Sequence, residues 1–484
     1  MRRWMLLAGP VAALVIPQWL VLPQYPQAPV MLGIAAWMVL WWVSECVPLA
    51  LTALVPLILF PLTGIASASE VAPRYMTSIM FLFIGGFLIA QAMERTGLHK
   101  RLALAILMRW HATPLQLVAG FLLATGFLSM WVSNTATTML MVTIALAVLS
   151  RLDGPRGDGD KTASARFAAM LLLMIAYAAN IGGISTPVGT VPNLVLLEII
   201  STHEAALRPT FLQWMVLGVP LALVGLLLLW VIAAIRLRGF GWPAGESLTV
   251  ADDYRALGVM RRDEKVVAVV SALAAIAWLT RNDISFERFT LPGWSSLLPY
   301  QGIDDGTVAL AAAFILFLVN RSDGQKILTA DAFGRLPWGV LILLGGGFAL
   351  ATGMHNSHLS LWLGESLYFL EGVPLLGVLL GVAVFMVFIT ELTSNTAITQ
   401  VMLPILAAIA MGADHDMLSL MLTATFAASC AFMLPVATPP NAIVFATGRI
   451  PLQTMMRTGF ALNLLMPLII VSLVQVLRPA LPVL

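Results

Sequence analysis

The chain has 484 residues, of which 60% are hydrophobic and 10% are charged, and its formal net charge is +2. The mean hydropathy is +0.93. Soluble globular proteins carry roughly 25% charged residues, so this composition excludes a soluble protein, and the small net charge gives no indication of a nucleic-acid partner. The sequence therefore predicts an all-α, polytopic membrane protein.

Apolar segments that approach the roughly 20 residues of a membrane span recur along the whole chain. We predict spans at 4–22, 29–47, 50–63, 78–95, 166–200, 211–235, 264–280, 306–320, 337–354, 417–447 and 458–478. Two further apolar segments, 114–150 and 373–411, carry polar residues at their centres. The first span is expected to be an uncleaved helix, because its apolar run is long and more spans follow at once. The polar connections 236–263 and 281–305 are too short for separate soluble domains.

Basic residues predict the orientation of the chain. Arg2 and Arg3 place the N-terminus in the cytoplasm, and basic residues also flank 114–150 on both sides. These flanking residues are Lys100, Arg101, Arg109, Arg151, Arg156, Lys161 and Arg166. A segment with both ends on one side has not crossed, so we predict a re-entrant hairpin with its tip at 133–135. Segment 373–411 has acidic flanks and is predicted to open to the outside, with its tip at 394–396.

Two polar motifs each occur twice within apolar sequence. The tetrapeptide SNTA at 133–136 returns at 394–397, and the heptapeptide PVGTVPN at 187–193 returns as PVATPPN at 435–441. A Gly-Gly-Phe triplet at 85–87 and at 346–348 precedes the two hairpins by the same number of positions. Because the two copies are predicted to approach from opposite faces, they indicate an inverted repeat. Such repeats build the midplane binding sites of secondary transporters.

The repeated residues supply groups for an anion and for a cation. Each tip begins a helix, where unpaired N–H groups and the helix dipole favour an anion, and Asn and Thr side chains add donors. The preceding helix ends in free carbonyl and hydroxyl groups, which suit a hard cation such as Na⁺. Helix capping alone does not explain three successive polar residues at membrane depth in both copies.

The Pro-Asn segments are predicted to break two further helices, because Pro192 and Pro440 lack an N–H group. Gly189 and Ala437 are expected to leave room for an ion to reach the backbone. The remaining polar side chains are expected either to contact a ligand or to hold the break together. They are Thr190, Asn193, Thr438 and Asn441.

Other polar residues leave several interpretations open. Glu391 is interpreted as tuning the adjacent cation site, and Glu45 as either functional or a structural hydrogen-bonded group. His355 and His358 lack a third ligand, so no metal centre is expected there. The motif regions contain no His or Cys and one carboxylate, so neither catalytic residues nor enzyme activity is expected. An anion channel and a structural scaffold remain alternatives to a transporter.

The sequence resembles the divalent-anion/sodium symporter family of sodium-coupled dicarboxylate, citrate and sulfate transporters. The resemblance covers most of the chain and rests on both SNT motifs, GTVPN, ATPPN, the pattern WxxExxPxxxTALxP at 42–56 and LFxGGF at 82–87. It implies about eleven transmembrane helices plus two re-entrant hairpins, a homodimer, and an elevator-type transport domain. The implied scaffold comprises 1–113 and 237–372, with amphipathic arms at 94–111 and 355–371. The implied transport domain has two parts. The first is 114–236, with hairpin 114–150 and broken helix 166–200. The second is 373–484, with hairpin 373–411 and broken helix 417–447.

The resemblance also implies site residues. Substrate carboxylates would meet Asn134, Thr135, Thr190, Asn395, Thr396 and Pro439. One Na⁺ would bind Ser129, Ser133, Asn134 and Gly189, and another would bind Thr390, Ser394, Asn395 and Ala437. Val191 departs from the pattern, because the second copy and many family members have proline at that position.

These observations predict a transporter of the cytoplasmic membrane that couples Na⁺ to a divalent anion. A C4-dicarboxylate such as succinate, malate or fumarate is the expected substrate. Neither hairpin tip contains Lys, Arg or His, which favours Na⁺ as the balancing charge. Na⁺-independent exchange of dicarboxylate or citrate, and transport of sulfate, remain open alternatives.

Overall fold

The computed structural model describes residues 2–110, 113–152, 158–204, 207–238, 250–286, 289–299, 302–366 and 372–479. Three parts of the predictions lie outside these residues: the ends of both amphipathic arms at 111 and 367–371, the basic residue Arg156, and residues 239–249 of the connection 236–263.

Helices dominate the described part of the first half. They are α1 (Arg2–Trp19), α2 (Ala28–Ser44), α3 (Leu49–Thr52), α4 (Val55–Thr63), α5 (Ala68–Val71), α6 (Ser78–Thr96), α7 (Leu98–Leu107), α8 (Pro114–Ser129), α9 (Asn134–Leu152), α10 (Asp158–Gly182), α11 (Val191–His203) and α12 (Phe211–Arg236). Short 3₁₀ turns, Ala72–Tyr75 and Gly183–Ser185, follow α5 and α10. Helices are expected here because lipid offers backbone groups no hydrogen-bond partners, so each apolar segment must satisfy its own.

The described part of the second half adds a small hairpin to its helices. The helices are α13 (Val250–Ala256), α14 (Arg262–Leu279), α15 (Asp305–Leu318), α16 (Asp331–Gly334), α17 (Trp338–Asn356), α18 (Leu359–Ser366), α19 (Leu375–Ile389), α20 (Asn395–Gly412), α21 (Met417–Ala428), α22 (Pro439–Ala446) and α23 (Leu452–Leu477). Strands β1 (Ile284–Phe286) and β2 (Phe289–Leu291) pair antiparallel, with Ser285 opposite Thr290. The polar connection 281–305 therefore contains a short β-hairpin.

The predicted interruptions fall where the motifs stand. α8 and α9 are separated at 130–133, and α19 and α20 at 390–394. The broken helices are α10 with α11 and α21 with α22. In each case the polar or proline-containing motif ends one helix and begins the next, because its side chains and prolines compete with the helical ladder.

The apolar helices differ in whether they reach the length of a membrane span. Among the described residues, six helices are long and apolar enough to cross a membrane by length and composition, and shorter apolar helices of 10–17 residues accompany them. The predicted span 50–63 is divided into α3 and α4, with Pro56 near the start of α4. The expected count of about eleven spans therefore stays a prediction.

The centre of the fold is α10, which is completely buried from Phe167 to its end at Gly182. It packs against α8, α9, α12 and α22, and α12 also packs against α23, so helices from 114–236 lie directly on helices from 373–484. A second, smaller hydrophobic cluster joins α2 and α4 to α17 and α18. The two clusters position the four helix breaks described below.

The amphipathic arm at 94–111 contains a buried basic residue. α7 packs on α8, and Arg101 is 7% exposed. Its guanidinium donates to Glu264 at 2.7 Å and to the carbonyl oxygens of Gly258 and Leu257. The charge of Arg101 is therefore paired inside the fold, and the side of the membrane on which this arm lies stays a prediction.

Candidate binding site at the paired helix breaks

A cavity of about 730 Å³ lies where the four helix breaks meet. Ten of the twelve residues predicted from sequence line it: Ser133, Asn134, Thr135, Gly189, Thr190, Ser394, Asn395, Thr396, Ala437 and Pro439. The other two, Ser129 and Thr390, are completely buried and hydrogen-bonded to Asn134 and Asn395. The fold thus brings both hairpin tips and both Pro-Asn segments to one place.

Four helices begin at this cavity. α9 begins at Asn134, α11 at Val191, α20 at Asn395 and α22 at Pro439, and all four residues line the cavity. The first N–H groups of a helix have no partner within the helix, and the helix dipole places partial positive charge there. Among the described lining residues none is Lys, Arg or His, and Glu45 carries the one formal charge. The positive partial charge that these lining residues direct at the cavity therefore belongs to the main chain.

Behind the first tip lies a cluster of buried oxygen atoms. The Ser129 hydroxyl oxygen is 2.6 Å from Asn134 Oδ1 and 2.7 Å from the Ala179 carbonyl oxygen. A hydroxyl has one proton and can donate to only one of these acceptors at a time. The cluster therefore has more acceptors than donors, which suits a hard cation bound through oxygen.

The second tip repeats this arrangement. The Thr390 hydroxyl oxygen is 2.5 Å from Asn395 Oδ1 and 3.0 Å from the Ala428 carbonyl oxygen. Again one proton serves two acceptors. The residues present at both tips thus fit an alkali cation by the chemistry of their donor set.

The two tips differ in their capping. Ser133 accepts a hydrogen bond of 3.3 Å from the Ala136 N–H and so caps α9. Ser394, at the equivalent position before α20, makes no capping bond with its side chain. Capping is therefore part of the role of the first serine and does not account for the second.

An asparagine holds the first broken helix together. Asn193 Nδ2 donates to the carbonyl oxygens of Gly183 at 3.1 Å and of Thr186 at 2.7 Å, and the Gly189 N–H also donates to Thr186. A Cβ on Gly189 would meet the Gly183 carbonyl oxygen, so the glycine allows the two sides of the break to pack closely. A Cβ on Gly183 would lie 2.7 Å from Asn134 Oδ1, which brings the break against the hairpin tip.

The second broken helix is held in the same way. Asn441 Nδ2 donates to the carbonyl oxygens of Ala431 and Leu434, each at 3.1 Å, and the Ala437 N–H donates to Leu434. Of the two roles that the sequence left open for these asparagines, the structure shows that their amide groups span the breaks. Thr438 caps α22 by accepting from the Asn441 N–H at 3.3 Å.

Asn180 is a cavity residue that the sequence analysis missed. It lies near the end of α10, is 2% exposed, and lines the cavity. Its Nδ2 donates to the Ala431 carbonyl oxygen and to Thr438 Oγ1, each at 3.2 Å, and so joins α10 to the second break. The signal that could have identified it is an Asn within an apolar span, two residues before a Gly-Gly pair.

The remaining polar residues take separate positions. Glu45 lines the cavity and is the C-cap residue of α2, with a left-handed φ of 47°. Glu391 is 3% exposed and accepts hydrogen bonds from the backbone of the second break. His355 contacts the ring of His203 edge-on, whereas His358 stacks on Tyr25, so the two imidazoles face different partners.

Broken helices whose N-termini surround one polar cavity define this chain as a polytopic membrane protein of the secondary-transporter kind. Residues 1–483 match the family model described as "Sodium:sulfate symporter transmembrane region". The chain belongs to this family, which confirms the membership predicted from its motifs. It is therefore a membrane transporter and not an enzyme.

Relatives that are named as transporters support this placement. The chain is 41% identical over 459 residues to the sodium-dependent dicarboxylate transporter SdcS of Staphylococcus saprophyticus, covering 93% of this chain and 86% of that protein. It is 38% identical over 455 residues to SdcS of Staphylococcus aureus USA300, covering 93% and 85%.

Solved structures of similar fold include the YdaH transporter of Alcanivorax borkumensis and MtrF of Neisseria gonorrhoeae, with TM-scores of 0.55 and 0.58. Their sequence identities are 14% and 12%. The first match covers 90% of this chain and 98% of the other, and the second covers 86% and 83%. At such identities the likeness concerns the fold alone.

Proposed function

We propose that this protein is a Na⁺-coupled symporter that imports a C4-dicarboxylate such as succinate, malate or fumarate across the cytoplasmic membrane. The observation that carries the proposal is the convergence of four helix N-termini on a cavity without basic side chains among its described lining residues. Main-chain N–H groups bind carboxylates well at helix N-termini. The relatives at 41% and 38% identity are named sodium-dependent dicarboxylate transporters, which supports both the ion and the substrate class.

The substrate would lie between the two hairpin tips. One carboxylate would meet Asn134 and Thr135, and the other would meet Asn395 and Thr396. Thr190, the N-cap residue of α11, and Pro439, the first residue of α22, would close the sides. A dianion held only by partial charges needs mobile counter-charges, and these are the Na⁺ ions.

The cations would bind behind the tips. Ser129, Ser133, Asn134 and Gly189 would hold one Na⁺, and Thr390, Ser394, Asn395 and Ala437 would hold the other. Each set includes the oxygen cluster in which one hydroxyl proton faces two acceptors. Because Asn134 and Asn395 belong to both an ion site and the substrate cavity, filling an ion site orders the amide that the carboxylate meets. Each cation beyond charge balance would add about 2.3 kcal/mol of driving force per 100 mV.

We further propose that the two halves form an inverted repeat and that the N-terminus is cytoplasmic. The recurrence of equivalent hydrogen bonds at both tips and both breaks supports the repeat. Residues 114–236 with 373–484 would form the transport domain of an elevator, and 1–113 with 237–372 would form the scaffold of a homodimer. α7 packs on α8 and α18 packs on α20, as expected for arms that connect scaffold to hairpins.

Uptake of labelled succinate into proteoliposomes tests the proposal. We expect uptake under an inward Na⁺ gradient and none when choline replaces Na⁺. Asn134→Ala and Asn395→Ala should each abolish uptake. Thr143→Ala is the matched control, because its hydroxyl bonds only within α9, to the Met139 carbonyl. Uptake that ignores Na⁺ but needs internal dicarboxylate would replace symport with exchange, and normal uptake by both Asn variants would refute the site.

A further inference from the structure

One residue of each broken helix connects the break to its hairpin. In the first half this residue is Thr186, whose carbonyl accepts from the Gly189 N–H at 3.3 Å and from Asn193 Nδ2 at 2.7 Å. Its hydroxyl donates to the Met130 carbonyl oxygen at 2.6 Å. Thr186 is completely buried. It therefore ties Gly189, a proposed Na⁺ ligand, to the end of the first hairpin arm.

The equivalent residue of the second half, by the spacing of the repeated heptapeptides, is Leu434. Its carbonyl accepts from the Ala437 N–H at 3.2 Å and from Asn441 Nδ2 at 3.1 Å, which repeats the first half. Leucine has no hydroxyl to donate, and its own N–H instead donates to Glu391 Oε2 at 3.0 Å. By the spacing of the SNTA motifs, Glu391 is equivalent to Met130. The same two positions are thus hydrogen-bonded in both halves. In the first half a side chain of the break donates to the main chain of the hairpin, and in the second half the main chain of the break donates to a side chain of the hairpin.

Glu391 makes this second connection with its whole carboxylate. Oε1 accepts from the N–H groups of Phe432 at 2.6 Å and Met433 at 2.8 Å, and from Asn463 Nδ2 at 2.8 Å. Three successive backbone N–H groups on one carboxylate form an anion-binding concavity. Among the described residues its partners are these four N–H donors, without a basic side chain, and it does not line the cavity. The carboxylate is therefore placed to hold the break and does not contact the substrate.

We propose that Glu391 and Thr186 are positioning residues for the two cation sites, an assignment that rests on the proposed Na⁺-coupled function. Glu391 fixes Leu434 and so the backbone of Ala437, and Thr186 fixes the backbone of Gly189. The first connection is neutral and consists of one hydrogen bond, whereas the second is charged and consists of three, with a fourth bond to the carboxylate from Asn463 in α23. Loss of a group that orients a metal ligand costs about 10–100-fold in ion affinity.

The first half provides the cleaner substitution. Thr186→Val keeps the shape of the side chain and removes the hydroxyl, so we expect the Na⁺ concentration for half-maximal uptake to rise about tenfold or more. The KM for succinate at saturating Na⁺ should change far less. Thr186→Ser restores the hydroxyl and should restore the Na⁺ dependence. A purely structural role would lower the amount of folded protein and leave the Na⁺ dependence of the folded fraction unchanged.

The second half allows the connection to be exchanged. Glu391→Met should raise the half-saturating Na⁺ concentration about tenfold or more. Adding Leu434→Thr gives the second half the same Thr and Met pair that forms the hydrogen bond in the first half, and should recover part of the lost Na⁺ affinity. A double variant no better than Glu391→Met would show that the carboxylate acts only through its charge, and would overturn the positioning role of Glu391. If Glu391→Met does not fold, the Thr186 pair decides the assignment alone. Wild-type Na⁺ dependence in Thr186→Val overturns it, whereas a wild-type protein without Na⁺-dependent uptake refutes the proposed function itself.

Discussion

Replacing Gly183 with alanine should weaken the first cation site specifically. The added methyl group would lie 2.7 Å from Asn134 Oδ1, 3.2 Å from Asn134 Nδ2 and 3.2 Å from the Gly189 carbonyl oxygen. Ordinary contact begins at 3.4 Å, so the Asn134 amide must retreat by about 0.7 Å from the position that the oxygen cluster needs.

The size of the effect follows from the cost of overpacking, which is about 1–3 kcal/mol in a tightly packed site. If Na⁺ binding must draw Asn134 back against the methyl group, this cost is subtracted from binding, and the half-saturating Na⁺ concentration rises about 5- to 150-fold. The equivalent residue of the second half is Ala431. That break already accommodates a methyl group, so the expected defect concerns one of two sites and reduces the cooperativity of the Na⁺ titration.

Na⁺ titration of succinate uptake in proteoliposomes is the assay. Gly381→Ala is the matched control, because Gly381 lies in α19 and a Cβ there would meet nothing within 4 Å. The control should show wild-type Na⁺ dependence. A wild-type titration curve from Gly183→Ala would refute the placement of Asn134 and the Gly183 break at one ion site.

Three further predictions concern stability and ligand linkage. Arg101→Ala removes the nearer of the two guanidinium groups paired with buried Glu264, while Arg261 remains at 3.5 Å. The loss should cost about 1–3 kcal/mol, so the melting temperature of the purified protein should fall, while the exposed Arg255→Ala should leave it unchanged. Asn180→Ala removes two buried hydrogen bonds and should cost about 1–3 kcal/mol, and an unchanged melting temperature would contradict the bridging role. Succinate at a hundredfold over its Kd should add about 2.7 kcal/mol of stability when Na⁺ is present, and equal thermal stabilisation in choline would argue against coupled binding.

The sequence was sufficient to predict where the helices break. Prolines, glycines and runs of small polar residues act locally, so Ser133–Asn134 and Thr190–Pro192 mark a helix boundary wherever they stand. The repetition of both motifs also predicted that they share a function. The cavity shows that the two tips share a place, and their common function stays a prediction.

Contacts between distant parts of the chain were not predictable in the same way. Asn180 bonds to residues 251 and 258 positions away, and nothing in the local pattern names those partners. Glu391 was interpreted from its position beside the motif as tuning a cation, and its four N–H donors became visible only with the fold. Arg101 served in the sequence as a marker of the cytoplasmic side, and its bond to Glu264, 163 positions away, became visible only with the fold. The short β-hairpin at 284–291 has too few residues for a periodic signal.

The main-chain origin of the cavity's positive potential has a consequence for acidity. Imidazole is the side chain whose charge ordinarily changes between pH 5 and 8, and the described lining residues include none. Amide dipoles cannot lose a proton in that range. The main-chain part of the attraction for a carboxylate is thus constant from weakly acid to weakly alkaline medium. Acidification would then slow transport by protonating the substrate, because a smaller fraction of it would be doubly ionised. The pH dependence of uptake would follow the ionisation of the dicarboxylate.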